Sequence, residues 1–181
     1  MNPIERTEHD LAVDLLRSTP THENRSPADL RHWAAVALDY GRELAQNPFP
    51  AKLPVRSATG GVTAERMVLA EYHARTAEIV VYDDALKSVG EKVRARGWDE
   101  WFPPRVLRAA AIAHEVAHHE LHGARGRELK RRLDLTALRI GRWRVRGHVA
   151  GADELVAHSY AQHVVGMTRS PLLLTTALVG G

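Results

Sequence analysis

The sequence predicts a small α+β domain, mostly helical, with a short antiparallel or mixed β-sheet packed on one buried helix. Three observations carry this. Apolar residues recur at helical spacing towards both ends of the chain. Two short β-compatible runs, 66–72 and 77–82, lie between them around a brief polar connection. The stretch 109–113 is apolar at every position, as in a helix buried on all sides.

A chain of 181 residues with 44% hydrophobic and 26% charged residues can bury one substantial core, so we expect a single domain over 1–181, with a helical segment at 1–46 and an apolar tail at 171–181. Residues 4–17 set Ile4, Leu11, Ala12, Leu15 and Leu16 on one helical face. Ser26 and Pro27 read as an N-cap and first helical position, opening a helix to about 45. The stretch 47–61, with three prolines and two adjacent glycines, reads as loop with a short strand at 53–56. The runs 66–72 and 77–82 then form a hairpin, the second being the better strand through Ile79, Val80 and Val81. Asp83 and Asp84 are the expected N-cap of a helix over 85–96.

The helix over 104–122 starts at Pro104 and is followed by Gly123. Four of the chain's 11 histidines fall on it: His114, His118, His119 and His122. Cysteine is absent, so a tightly held transition metal must use imidazole and carboxylate. His114 and His118 are four apart, one turn up the same face, and both rings can reach one ion. Glu115 lies about 100° round the helix, where it can serve as base towards a metal-activated water without being a ligand. His122 cannot join the same ion, because it stands about 12 Å along the axis from His114. The position ten after His114 is Ala124, not a histidine. His119 and His122 are therefore expected to be exposed, or to support the ligands from behind.

A catalytic zinc takes three protein ligands and keeps one position open. On a later helix, over 151–165, Glu154, Ala157, His158 and Ala161 share a face, and the two alanines allow close approach to another helix. Glu154 is the expected third ligand, with His148 as its rival. His158, Tyr160 and His163 are the candidates for a donor to a reaction oxyanion, with Tyr160 also suited to the core.

These two motifs, HExxH at 114–118 and Glu154-Leu155-Val156-Ala157-His158-Ser159-Tyr160-Ala161, resemble those of gluzincin peptidases. More narrowly they are similar to the small bacterial metallopeptidases of the ImmA/IrrE-like type, whose second motif runs Glu-x-x-Ala-Asn/Asp-x-Phe-Ala. The resemblance spans roughly 30–166. It implies a small zincin domain, a Zn²⁺ ion on His114, His118 and Glu154, and hydrolysis of a peptide or protein with Glu115 as base. His158 stands where that family has Asn or Asp, so the acceptor that usually orients the first histidine is replaced. Were His148 the third ligand, the set would resemble that of SprT/Spartan-like proteases that act on proteins bound to DNA. A further alternative is a regulatory or toxin-system protein that keeps the zinc fold and cleaves nothing.

Residues 125–148 hold nine Arg or Lys against two acids. We expect an exposed helix over about 126–140, with Leu129, Leu133, Leu135, Leu138 and Ile140 as its buried stripe and Arg127, Lys130, Arg131 and Arg142 facing solvent. Such a surface suits an acidic or nucleic-acid-bound partner. An extended substrate is expected to pair with an edge of the hairpin. No apolar run is long enough for a membrane span, and the polar start of the chain, with Glu5, Glu8 and Asp10, makes the cytoplasm the expected location. The tail 171–181 is expected to be a strand or packing segment that could also cover the cleft.

Overall fold

The structure, a computed structural model, describes residues 5–49, 53–140 and 143–179. It is an α+β arrangement, as the sequence predicts. Its helices are α1 (Glu8–Ser18), α2 (Pro27–Gln46), α3 (Asp83–Ala95), α4 (Pro104–Leu121), α5 (Ala124–Leu133), α6 (Ala152–Val165) and α7 (Leu172–Val179). The strands are β1 (Val55–Ala58), β2 (Ala70–His73), β3 (Glu78–Tyr82), β4 (Thr136–Ile140) and β5 (Trp143–Arg146).

The first sheet is mixed, with β3 at its centre, parallel to β1 and antiparallel to β2. It lies against α4 through Ala70, Ile79, Val81 and Ala111. On its other side α4 packs on α6 through Ala113, Ala117, Ala157 and Ala161. These alanines let the two backbones approach. Behind α6 runs α2, and a Cβ added at Gly41 would stand 2.6 Å from the Val156 carbonyl oxygen, so this crossing admits only glycine without a shift. Ser159 tightens the same contact, its hydroxyl donating to the Leu38 carbonyl at 2.8 Å. The sequence thus folds into layers, α2, α6, α4 and sheet, with α6 buried between helices.

Several boundaries differ from expectation. Helix α1 starts at Glu8, because Thr7 and Asp10 form a capping box that fixes its first turn; Ile4 lies outside the described residues. Asp83 and Asp84 occupy the first turn of α3 rather than its cap, which is Tyr82. Asp84 instead turns back and accepts the N–H groups of Gly60 and Gly61 at 2.9 and 3.2 Å. The run 66–72 is strand only from Ala70; before it, Val62 bridges Met67 around a turn in which Thr63 N–H donates to the Arg66 carbonyl.

The expected helix over 126–140 ends at Leu133. Asp134 takes a left-handed conformation, φ 42°, and the β-favouring Thr136, Ile140, Trp143 and Val145 continue as an antiparallel pair. Leu129 and Leu133 are buried as expected, whereas the side chains of Leu138 and Ile140, and Arg142 altogether, lie outside what is described. The tail forms a helix rather than a strand, and its Leu172, Leu173 and Leu174 are buried. Leucine and alanine are strong helix formers, and the Leu172 N–H donates to the Ser170 hydroxyl at its start. Among the described residues no helix is long and apolar enough to cross a membrane.

Candidate metal centre

Helices α4 and α6 each turn a pair of residues spaced four apart towards one point. On α4 these are His114 and His118, whose Nε2 atoms lie 3.0 Å apart. On α6 they are Glu154 and His158. The Glu154 carboxylate is the hub: one oxygen lies 3.1 Å from His118 Nε2, the other 3.3 Å from His114 Nε2 and 3.1 Å from His158 Nε2. The donor atoms of His114, Glu154 and His158 all fall within 4.8 Å of one another, close enough to hold one metal ion.

His158 is the unusual member. Only 6% of it is exposed, and the 3.1 Å approach to Glu154 lacks hydrogen-bond alignment, so neither ring nitrogen has a hydrogen-bond partner among the described residues. Its ring rests on that of His114, centroids 4.5 Å apart and tilted by 56°. Leaving a buried polar group unpaired costs on the order of 1–3 kcal/mol.

The electrostatics suit a cation. Burial, reinforced by the neighbouring His158, pushes the His114 pKa down and keeps its ring neutral, the form that ligates. Burial alone would lower His118 too, but the Glu154 carboxylate outweighs it and raises that pKa. Burial opposes ionisation of Glu154, yet the three imidazoles around it prevail and hold the carboxyl far below the usual range. Three imidazoles and one carboxylate, gathered round one point and partly unpartnered, fit a divalent transition ion.

Glu115 stands beside this cluster without joining it. Burial raises its pKa. One carboxylate oxygen accepts the Tyr72 backbone N–H at 3.0 Å, tying α4 to β2. That bond also reports the edge of the sheet. Tyr82 N–H donates to the Leu69 carbonyl, so Leu69 and Glu71 face β3 while the N–H and C=O groups of Ala70 and Tyr72 point the other way.

The cluster opens into a cleft of about 820 Å³. One wall is the segment 62–71; apolar Leu107, Ala110, Ala111, Met167 and Leu174 line much of the remainder, and His114, Glu115, His118, Glu154 and His158 stand on its surface. The C-terminal segment contributes Pro171, Leu174 and Thr175 to the lining, so the tail borders the cleft.

Other expected residues go elsewhere. Tyr160 is 2% exposed; its ring stacks on Phe49 and its hydroxyl accepts the Phe49 N–H at 3.1 Å, a packing role rather than an oxyanion donor. His163 Nδ1 lies 2.7 Å from the Ser159 carbonyl one turn back, away from the cleft. His148 is exposed ahead of α6 and does not line the cleft. His119 packs against Tyr72, ring centroids 4.6 Å apart, and His122 is exposed.

In the basic segment, Arg125 pairs with Glu120, Arg131 with Glu128, and Arg132 with both Glu43 and Glu128, so part of the charge is neutralised in place. Sequence reasoning set His158 on the face of Glu154 and made it a candidate oxyanion donor, not a metal ligand. Its spacing from Glu154 repeats that of His118 from His114, and that signal was available. Comparison with known proteins finds no matching family model, no matching curated protein and no matching solved structure.

Proposed function

We propose that this chain is a zinc-dependent peptidase of gluzincin type, with His114, His118 and Glu154 holding the ion and Glu115 acting as general base. The observation that supports this best is the convergence of those three donors beside a half-buried carboxylate that is not part of their cluster. When bound, zinc supplies Lewis acidity, polarising a carbonyl and making a water acidic near neutral pH. Glu115 takes the proton of the attacking water and passes it to the leaving amine; its burial, by raising the pKa, makes it a better base near neutrality than an exposed glutamate. The outward N–H and C=O of Ala70 on β2 offer an extended peptide a strand edge to pair with, and the apolar wall receives its side chains.

The hydrogen bond from Tyr72 to Glu115 favours a second reading, in which Glu115 only pins the sheet to α4 and the metal site serves binding. Glu115→Gln separates the two, since the amide oxygen can still accept the Tyr72 N–H while the base is gone. With the zinc-loaded protein and a mixture of fluorogenic peptides, we expect kcat to fall about 10²- to 10⁴-fold at unchanged zinc content and melting temperature. Wild-type turnover no higher than that of the variant would overturn the peptidase and leave the binding protein.

A further inference from the structure

The peptidase assignment uses three ligands and leaves His158 without a task. Three features of this residue bear on what it does. It sits one turn beyond Glu154 on α6, the same interval that separates His114 from His118 on α4. Its Nε2 approaches the same Glu154 oxygen that His114 approaches, at 3.1 against 3.3 Å. It is buried, and neither nitrogen is hydrogen-bonded among the described residues.

A residue that merely orients His114 would need a hydrogen bond to that ring. The structure shows ring packing instead, with the planes tilted by 56°. A histidine that merely fills the core would have a ring nitrogen hydrogen-bonded, as buried His22 does with Nδ1 2.9 Å from the Leu16 carbonyl. A buried ring nitrogen 3.1 Å from a carboxylate oxygen, among other donor atoms and without an aligned hydrogen bond, is suited to a cation.

We propose that His158 is a fourth protein ligand of the metal, so that α4 and α6 each give the ion a pair of donors spaced four apart. A tetrahedral ion is then fully coordinated by the chain. Substrate enters only when His158 gives way or the coordination number rises. The inference rests on metal binding at this site, not on hydrolysis, and the site takes a borderline divalent ion that accepts imidazole and carboxylate together.

X-ray absorption at the zinc edge of the unaltered, zinc-loaded protein tests this without a variant. Three imidazoles per zinc are expected; two would overturn it, as would a protein that retains no zinc. The cobalt-loaded protein gives an independent measure through its visible spectrum. In His158→Ala, thiocyanate should perturb that spectrum at concentrations about tenfold or more below those needed in the wild type, and metal should be held about 10- to 100-fold more weakly against a chelator. Equal thiocyanate response and equal metal affinity in the two proteins would sink the proposal. A chain that shows three imidazoles but cleaves no peptide loses the peptidase assignment and keeps this one; two imidazoles in an active peptidase do the reverse.

Discussion

Helices α4 and α6 present the same four-residue spacing to the same point from very different surroundings. On α4 the pair stands on the face towards the cleft, half-buried, between the sheet on one side and α6 on the other. On α6 seven consecutive buried residues, 155–161, precede the exposed end, and α2 closes the back at Gly41. His114 and His118 on α4 are half-buried and each approaches the Glu154 carboxylate. His158 on α6 is buried and approaches the same carboxylate without an aligned hydrogen bond, so a cation held at this point would offset the cost of its burial. The more deeply buried helix therefore carries the stronger sign of a ligand, although α4 carries the more familiar motif.

The comparison breaks most sharply at Glu154. Its replacement by alanine removes the carboxylate that all three imidazoles approach, and metal affinity should fall by at least about 100-fold in chelator competition. His148→Ala should leave affinity unaltered. The reverse pattern would move the third ligand to His148 and replace the gluzincin assignment by the SprT/Spartan-like one.

A smaller effect separates the two kinds of helix packing. Gly41→Ala puts a Cβ 2.6 Å from the Val156 carbonyl oxygen and 2.7 Å from Ser159 Cβ, so α6 must move; we expect a loss of about 1–3 kcal/mol in denaturant unfolding. The same change at Gly90 on α3 meets nothing within 4 Å and should stabilise by about 0.5–1 kcal/mol. Equal effects at the two positions would show that α6 is not held as tightly as the close approach implies.

Asp84 sharpens the contrast between the helices and the cleft wall. Desolvation pushes its pKa up, but the N–H groups of Gly60, Gly61 and Val62 outweigh this and hold it below the ordinary aspartate range. A depressed folded pKa stabilises at neutral pH, and that stabilisation is lost as pH falls through the lowered value. Asp84→Asn should speed amide hydrogen exchange at Gly60 and Gly61 at neutral pH with metal content unchanged, and the difference from wild type should close in acid. A difference that persists unchanged in acid would remove the carboxylate from the explanation.

The smallest effect is expected on α5. Lys130 and Arg131 are exposed, and Arg131 is already paired with Glu128. Replacing both by glutamate should leave zinc content and fold intact and lower cleavage of an acidic substrate only at low ionic strength. Activity that is the same across a salt series would make this surface a solvated face.

Legibility in the sequence follows the range of the interactions. The ends of α2 and α4, the strand β3 and the spacing of His114, Glu115 and His118 are set within one or two helical turns or a single strand, where Ser26, Pro27, Pro104 and the run Ile79-Val80-Val81 act locally. The end of α5 was not legible in this way. Leu135, Leu138 and Ile140 satisfy a helical spacing, yet Asp134 breaks it and pairing with β5 supplies a competing set of hydrogen bonds from partners between Trp143 and Arg146. Tyr160 likewise reads as a polar handle in sequence, and only its contact with Phe49 shows which way the hydroxyl points.

By itself, then, the sequence determined the α+β class, the helices that carry the candidate ligands, the exclusion of thiolate ligands and the pair His114/His118, because composition and near-neighbour geometry do not depend on what lies opposite. Tertiary structure alone decided that Glu154 rather than His148 reaches that pair, that His158 is enclosed with it, and that Tyr160 and His163 turn away. The physical reason is that a centre of this kind is assembled across a helix interface. Which side chains meet there is set by the close approach of α6 to α4 and α2, through alanines and Gly41, and such approach is a property of the packed helices together.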